Sequence, residues 1–201
     1  SVVKRETPPV VGVPAAGGAV TTVQLQARQA ALAWRGDPEF VKYTVEISTT
    51  PSFDSVVHRE VTPATVSRMR GDLPPGSYYW RVTGVDAAGK SAAPSAAVPL
   101  VVSAPLPARA LYPADGATIL AADGSTVPVA FGWFDPNRSG RVRLEVADDA
   151  AFGGQAVTTV AAGATLRLPL ATGTHYWRLS VLDRAGQVVA TSPARRLSVL
   201  R

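Results

Sequence analysis

The chain has 201 residues, 46% of them hydrophobic and 17% charged, with a net charge of +5. That is enough apolar material for one large core or two small ones, and it excludes wholesale disorder. Gly and Pro number 17 each and cysteine is absent, which excludes a helical bundle, a disulfide framework, a thiolate nucleophile and Cys-ligated zinc together.

The N-terminal stretch Thr7 to Ala27 carries no charge, but Gly12, Pro14, Gly17 and Gly18 break it as a membrane helix. The start at Ser1, without a leader pattern, reads as a mature or excised piece of a longer parent. Next comes a strand ending at Trp34. Then Tyr43, Val45 and Ile47 alternate with Thr44 and Glu46, the period of two of a half-buried strand. Phe53 follows after a polar turn. Leu73 leads into Tyr78-Tyr79-Trp80-Arg81-Val82, and Asp86-Ala87-Ala88-Gly89 has the chemistry of a hairpin turn, aspartate capping and glycine at positive φ. Ser91 to Ala108 is again uncharged and is broken by Pro94, Pro99, Pro105 and Pro107.

The pattern then recurs. Pro14 pairs with Pro113, Gly17 with Gly116, Trp34 with Trp133 and Phe53 with Phe152, each 99 residues on; Leu73 pairs with Leu170, Gly76 with Gly173, Trp80 with Trp177, Asp86 with Asp183 and Gly89 with Gly186, each 97 on. A two-residue deletion between Phe152 and Leu170 accounts for the change. A unit of about 98 residues is too long for a solenoid repeat and suits a sandwich of about seven strands. The expectation is all-β: two tandem antiparallel β-sandwiches over residues 1–103 and 104–201, joined by the stiff linker Ala104-Pro105-Leu106-Pro107.

These residues resemble a fibronectin type III-like domain twice over: Trp34 and Trp133 on the second strand, the Tyr43 to Glu46 strand, the leucine-to-glycine approach into Tyr-Trp-Arg or its counterpart, and closing serines Ser95 and Ser192. One departure is visible. Tyr79 and Tyr176 have the family's tyrosine spacing, yet Arg81 and Arg178 follow them by two, while Trp80 and Trp177 belong to the apolar face. A turn shorter by one residue would put Tyr78 and His175 at the corner instead. Phe53 together with the Tyr-Tyr-Trp-Arg-Val string is similar to fibronectin-like domains that follow FecR-type and LysM-type domains in Gram-negative envelope proteins. That resemblance implies an exported parent, periplasmic or at the cell surface, and the Ala- and Arg-rich composition suggests a GC-rich bacterial genome.

Chemistry-bearing motifs are sparse. The two histidines, His58 and His175, fall in different repeats, and no HExxH, GxSxG or phosphate loop occurs. Asp148-Asp149 has turn chemistry. No enzyme, catalytic residue, metal or cofactor is expected. Arg-Gly-Asp occurs at residues 35–37 and 70–72, where Gly-Asp is ordinary turn chemistry. The basic groups are interleaved with acids, so nucleic acid is not an expected partner. The tryptophans read as core, and Phe40, Tyr112 and Phe134 have no firm core placement. Tyr79, Arg81, Tyr176 and Arg178 share a predicted outer face able to stack a sugar or pack against a partner. The expected function is a non-catalytic extracytoplasmic module, monomeric and without a membrane span, serving as spacer or scaffold toward an envelope protein, peptidoglycan or another glycan. Alternatives are a carbohydrate-binding or adhesion module, or an accessory domain pair of a secreted hydrolase.

Overall fold

The computed structural model describes residues 9–13, 18–69, 73–121, 126–154, 156–161 and 163–201. The chain divides into two compact units, Ser1–Ala104 and Pro105–Arg201.

Unit 1 contains β1 (Val10–Val13), β2 (Gly18–Thr21), the single-turn α1 (Thr22–Gln26), β3 (Ala31–Arg35), β4 (Phe40–Ser48), β5 (Val56–Thr62), β6 (Val66–Arg68), β7 (Gly76–Asp86) and β8 (Val98–Ser103). Three strands form one sheet in the order β1-β3-β6, and five form the other in the order β2-β8-β7-β4-β5. Unit 2 repeats the plan with β9 (Arg109–Tyr112), β10 (Ala117–Leu120), β11 (Thr126–Phe134), β12 (Val142–Ala147), β13 (Val157–Ala161), β14 (Thr165–Ala171), β15 (Gly173–Leu182), β16 (Val188–Thr191) and β17 (Arg195–Leu200). Its sheets run β9-β11-β14 and β10-β17-β15-β12-β13, with β16 paired to β15. The fold is the expected all-β tandem of sandwiches.

Three details differ from the sequence expectation. Each unit has more than seven strands among the described residues: in both, the first strand is split and its halves join opposite sheets, and unit 2 adds β16. In unit 2 the split falls at Pro113 to Gly116, where proline removes a donor and Gly116 takes φ +75°. The sheets are also not purely antiparallel: β2 pairs parallel with β8, and β10 with β17. Finally, α1 is a helix that apolar periodicity does not reveal. Thr21 caps it in a capping box, accepting from the Gln24 backbone N–H while its own N–H donates to Gln24 Oε1 at 2.9 Å.

The period-two alternation drives the cores together. In β7, Tyr78, Trp80 and Val82 point inward while Tyr79, Arg81 and Thr83 point outward; in β15, His175, Trp177 and Leu179 do the same. All four tryptophans are core residues, at 5%, 0%, 2% and 0% exposure in chain order. Full burial of one such side chain stabilises by roughly 2–3 kcal/mol. The hairpin reading holds in both units: Gly89 and Gly186 take φ +82° and +83°, and the carboxylates of Asp86 and Asp183 accept from Lys90 N and Gln187 N. Ser95 and Ser192 are matched clamps. Each hydroxyl accepts from a buried strand N–H, that of Val82 or Leu179, at 3.0 Å.

The units differ at two close ring-over-glycine contacts. In unit 1, Phe40 lies over Gly84, where an added Cβ would come within 2.3 Å of the ring, and Tyr43 Oη lies over Gly36. In unit 2 the matching positions are Ser139 with Val181 and Val142 with Asp135. Neither ring-over-glycine contact of unit 1 is therefore available in unit 2.

Candidate outer-face site

Strand register decides what the outer face of the larger sheet in each unit presents. Glu46 sits on β4 between Arg81 on β7 and Arg59 on β5. Its carboxylate accepts from Arg81 Nε at 2.7 Å and from Arg59 Nη2 at 2.6 Å. In unit 2, Glu145 accepts from Arg178 Nε at 3.2 Å and Nη2 at 3.3 Å, and from Ser180 Oγ at 2.7 Å. Thr158 stands where unit 1 has Arg59, and Arg143 approaches Glu145 at 3.8 Å from the same strand instead. Burial raises both glutamates toward the neutral form, but hydrogen bonds from the neighbouring arginines (and Ser180 in unit 2) prevail, so both carboxyls lie below their ordinary value.

The same arginines carry a second partner. Arg81 Cζ lies 4.1 Å from the Phe53 ring centre, and Arg178 Cζ lies 4.1 Å from that of Phe152. Both phenylalanines adopt left-handed backbone, φ +62° and +56°, a conformation that costs a residue with a Cβ. Turns hold them there: Phe53 N–H donates to Thr50 O and Phe152 N–H to Asp149 O. The Asp149 carboxylate also accepts from the backbone of Ala151, Gly153 and Gly154, which holds it below its ordinary value.

Each unit therefore has a fixed ladder of glutamate, arginine and phenylalanine. Tyr79 and Tyr176 stand two residues before the arginines on the same outer face, both half-buried. The four residues singled out from the sequence fall into two equivalent pairs, one per unit. Sequence reasoning missed the roles of Glu46 and Glu145, although both belong to the alternating strands it identified. A charged residue on the outer side of a central strand was the available signal.

Other candidates resolve into turns and corners. Tyr78 fills the corner position, its Oη donating to Pro74 O at 2.9 Å, and His175 fills it in unit 2, with Nε2 donating to Ala171 O at 2.8 Å. His175 Nδ1 lies 2.8 Å from Asp148 Oδ1. His58 is on β5 of the other unit. The tripeptide at 35–37 forms the β3–β4 connection, with Gly36 under Tyr43 and the Asp37 carboxylate capping Glu39 N–H; the copy at 70–72 lies outside the described residues. Phe40 is core, while Tyr112 and Phe134 are 44% and 52% exposed. Among the described residues no group of three or more His, Cys, Asp or Glu could hold a metal ion, and no helix is long and apolar enough to cross a membrane.

No protein-family model matches the chain, and no curated protein does. Solved structures resemble it along nearly its whole length at low identity. The fibronectin(III)-like modules of Clostridium thermocellum CbhA are 14% identical, covering 96% of this chain and 93% of that one, with a TM-score of 0.36. The FN1–FN3 domains of chicken CNTN1 are 13% identical over 97% and 69%, with a TM-score of 0.37. A two-domain fibronectin type III segment from chicken tenascin is 14% identical over 96% and 99%, also with a TM-score of 0.37. The strand order and pairing of each unit are those of a two-sheet β-sandwich.

Proposed function

We propose that this chain is a non-catalytic, extracytoplasmic module of a bacterial envelope protein, a tandem spacer whose outer sheet faces bind peptidoglycan or an envelope protein. One observation carries the reading: Tyr79 with Arg81, and Tyr176 with Arg178, recur on equivalent outer faces, each arginine held by a glutamate and a phenylalanine. A face ordered in advance loses little side-chain entropy on binding. Its half-buried phenol rings can stack on a sugar, and guanidinium N–H groups not used on glutamate can meet peptide carboxylates. The exported setting comes from the envelope-type sequence resemblance.

The test is co-sedimentation of the protein with purified sacculi at low and high salt. Pelleting that persists in high salt and falls in the double variant Tyr79→Ala, Tyr176→Ala is the expected outcome. Pelleting that vanishes with salt would reduce the interaction to diffuse positive charge. No pelleting at either salt would remove the wall as partner and leave the spacer and protein-scaffold role.

A further inference from the structure

On the outer face of its smaller sheet, β9-β11-β14, unit 2 carries two exposed rings that unit 1 lacks. Register sets Tyr112 of β9 opposite Gly132 of β11, and Arg109 opposite Phe134, two residues along the same face. A Cβ added at Gly132 would meet Tyr112 Cζ, Cε1 and Cε2 at 2.2, 2.4 and 2.7 Å. The phenol ring therefore lies flat on the sheet, and its outer face meets solvent. Covering a bare glycine accounts for Tyr112, but Phe134 covers none. The matching residues of unit 1 are Val13, Ala33 and Arg35, so the repeated fold requires neither ring.

The charge on this face has one sign. Arg167 of β14 stands opposite Ala130, on the same side as Gly132 and Phe134, and the three strands contain no Asp or Glu. Among the described residues neither Arg109 nor Arg167 has a carboxylate within ion-pair distance. The larger sheets are the reverse, since there glutamates hold the arginines. Asp135, next to Phe134, is taken up inside its own turn by Asn137 N–H at 2.9 Å, Ser139 N–H at 2.7 Å and Ser139 Oγ at 2.6 Å. An acidic occupant therefore complements the face. Its form follows from Arg109 Cζ lying 5.8 Å from the Phe134 ring centre, a separation that one sugar residue bridges. A uronate stacks its apolar C–H face on a ring and offers a carboxylate at its rim to a guanidinium fork. A glutamate side chain brings the charge without the flat face, and a neutral sugar the face without the charge.

We propose that this face binds an acidic polysaccharide, a polyuronate. Its pyranose rings stack on Tyr112 and Phe134, and its carboxylates meet Arg109 and Arg167. This does not rest on the wall-binding reading, since it uses none of Tyr79, Arg81, Tyr176 or Arg178.

The experiment titrates the isotopically labelled full chain with hexagalacturonate, hexaglutamate, cellohexaose and a thymidine hexanucleotide, while the Gly132 and Phe134 amide resonances are followed. Hexagalacturonate is expected to shift both saturably and to bind about tenfold more tightly than each of the other three. Phe134→Ala and Arg167→Gln, both at exposed positions, are expected to weaken it about fivefold and about tenfold. The double variant Tyr79→Ala, Tyr176→Ala is expected to bind it unchanged, which separates this face from the wall-binding one. Absence of shifts at both resonances would overturn the proposal. So would equal binding of hexaglutamate, which reduces the face to charge, of cellohexaose, which removes charge from the recognition, or of the hexanucleotide, which makes it a nucleic-acid platform. Unchanged hexagalacturonate affinity in either Phe134→Ala or Arg167→Gln would overturn it too.

Discussion

Tyr78 and His175 hold the same corner with different chemistry: the Tyr78 hydroxyl and the His175 ring Nε2 each donate to a carbonyl four residues upstream, Pro74 O in one unit and Ala171 O in the other. Removing only the donor in unit 1, with Tyr78→Phe, is expected to cost about 1 kcal/mol. In unit 2 both His175→Tyr and His175→Ala lose the contact to Asp148, but tyrosine restores the first unit's ring and donor and should cost less than alanine. Urea unfolding of the three variants checks the order.

Glu46 and Glu145 make an acid-sensitive support. Their folded values lie below the ordinary 4.5. The stability they contribute is therefore complete above that value and is lost as pH falls through the lower folded one. The protein should lose stability on acidification below about pH 4.5, and the double variant Glu46→Gln, Glu145→Gln should lose less over the same range. At neutral pH each single glutamine is expected to cost about 2 kcal/mol, because an arginine loses a charged acceptor. Thermal unfolding between pH 3 and 7 reads both effects.

Phe53 reverses an ordinary ranking. Alanine keeps the left-handed backbone penalty and removes the ring from under Arg81; glycine removes the ring and the penalty together. Phe53→Gly should therefore be more stable than Phe53→Ala by up to about 1 kcal/mol. The same order is expected at Phe152. If alanine proves the better residue at both sites, the strain argument fails.

Gly84 and Gly132 each lie under an aromatic ring, yet their alanine variants should differ. An added Cβ at Gly84 would meet buried Phe40, and at Gly132 it would come within 2.2 Å of Tyr112, a ring 44% exposed and free to swing outward. Gly84→Ala is expected to cost about 1–3 kcal/mol, and Gly132→Ala much less. Combining Gly84→Val with Phe40→Ser installs the second unit's pair, Val181 with Ser139. The double variant should be more stable than the sum of the singles predicts, by a coupling of about 1 kcal/mol or more.

What the sequence disclosed followed from periodicity. Tyr43, Val45 and Ile47 alternate because one face is buried, and the same rule placed Trp80 inside and Arg81 outside. The shorter turn that puts Tyr78 and His175 at the corners was legible from that alternation too. The sheet switch of the first strand was not, because a parallel partner leaves no mark on the strand's own residues. Nor was the support under Arg81 and Arg178, since a glutamate becomes a clamp only through cross-strand register, which a one-dimensional pattern does not contain.

The parallel pairing of β2 with β8 and of β10 with β17 bears on how each unit carries a mechanical load. The early strand and the last strand run in the same direction, so tension applied at the two ends of a unit drags them past each other along their length. Their hydrogen bonds are then strained together in shear instead of opening one at a time like a zip. A unit built this way resists extension with a geometry whose resistance does not depend on any ligand being bound.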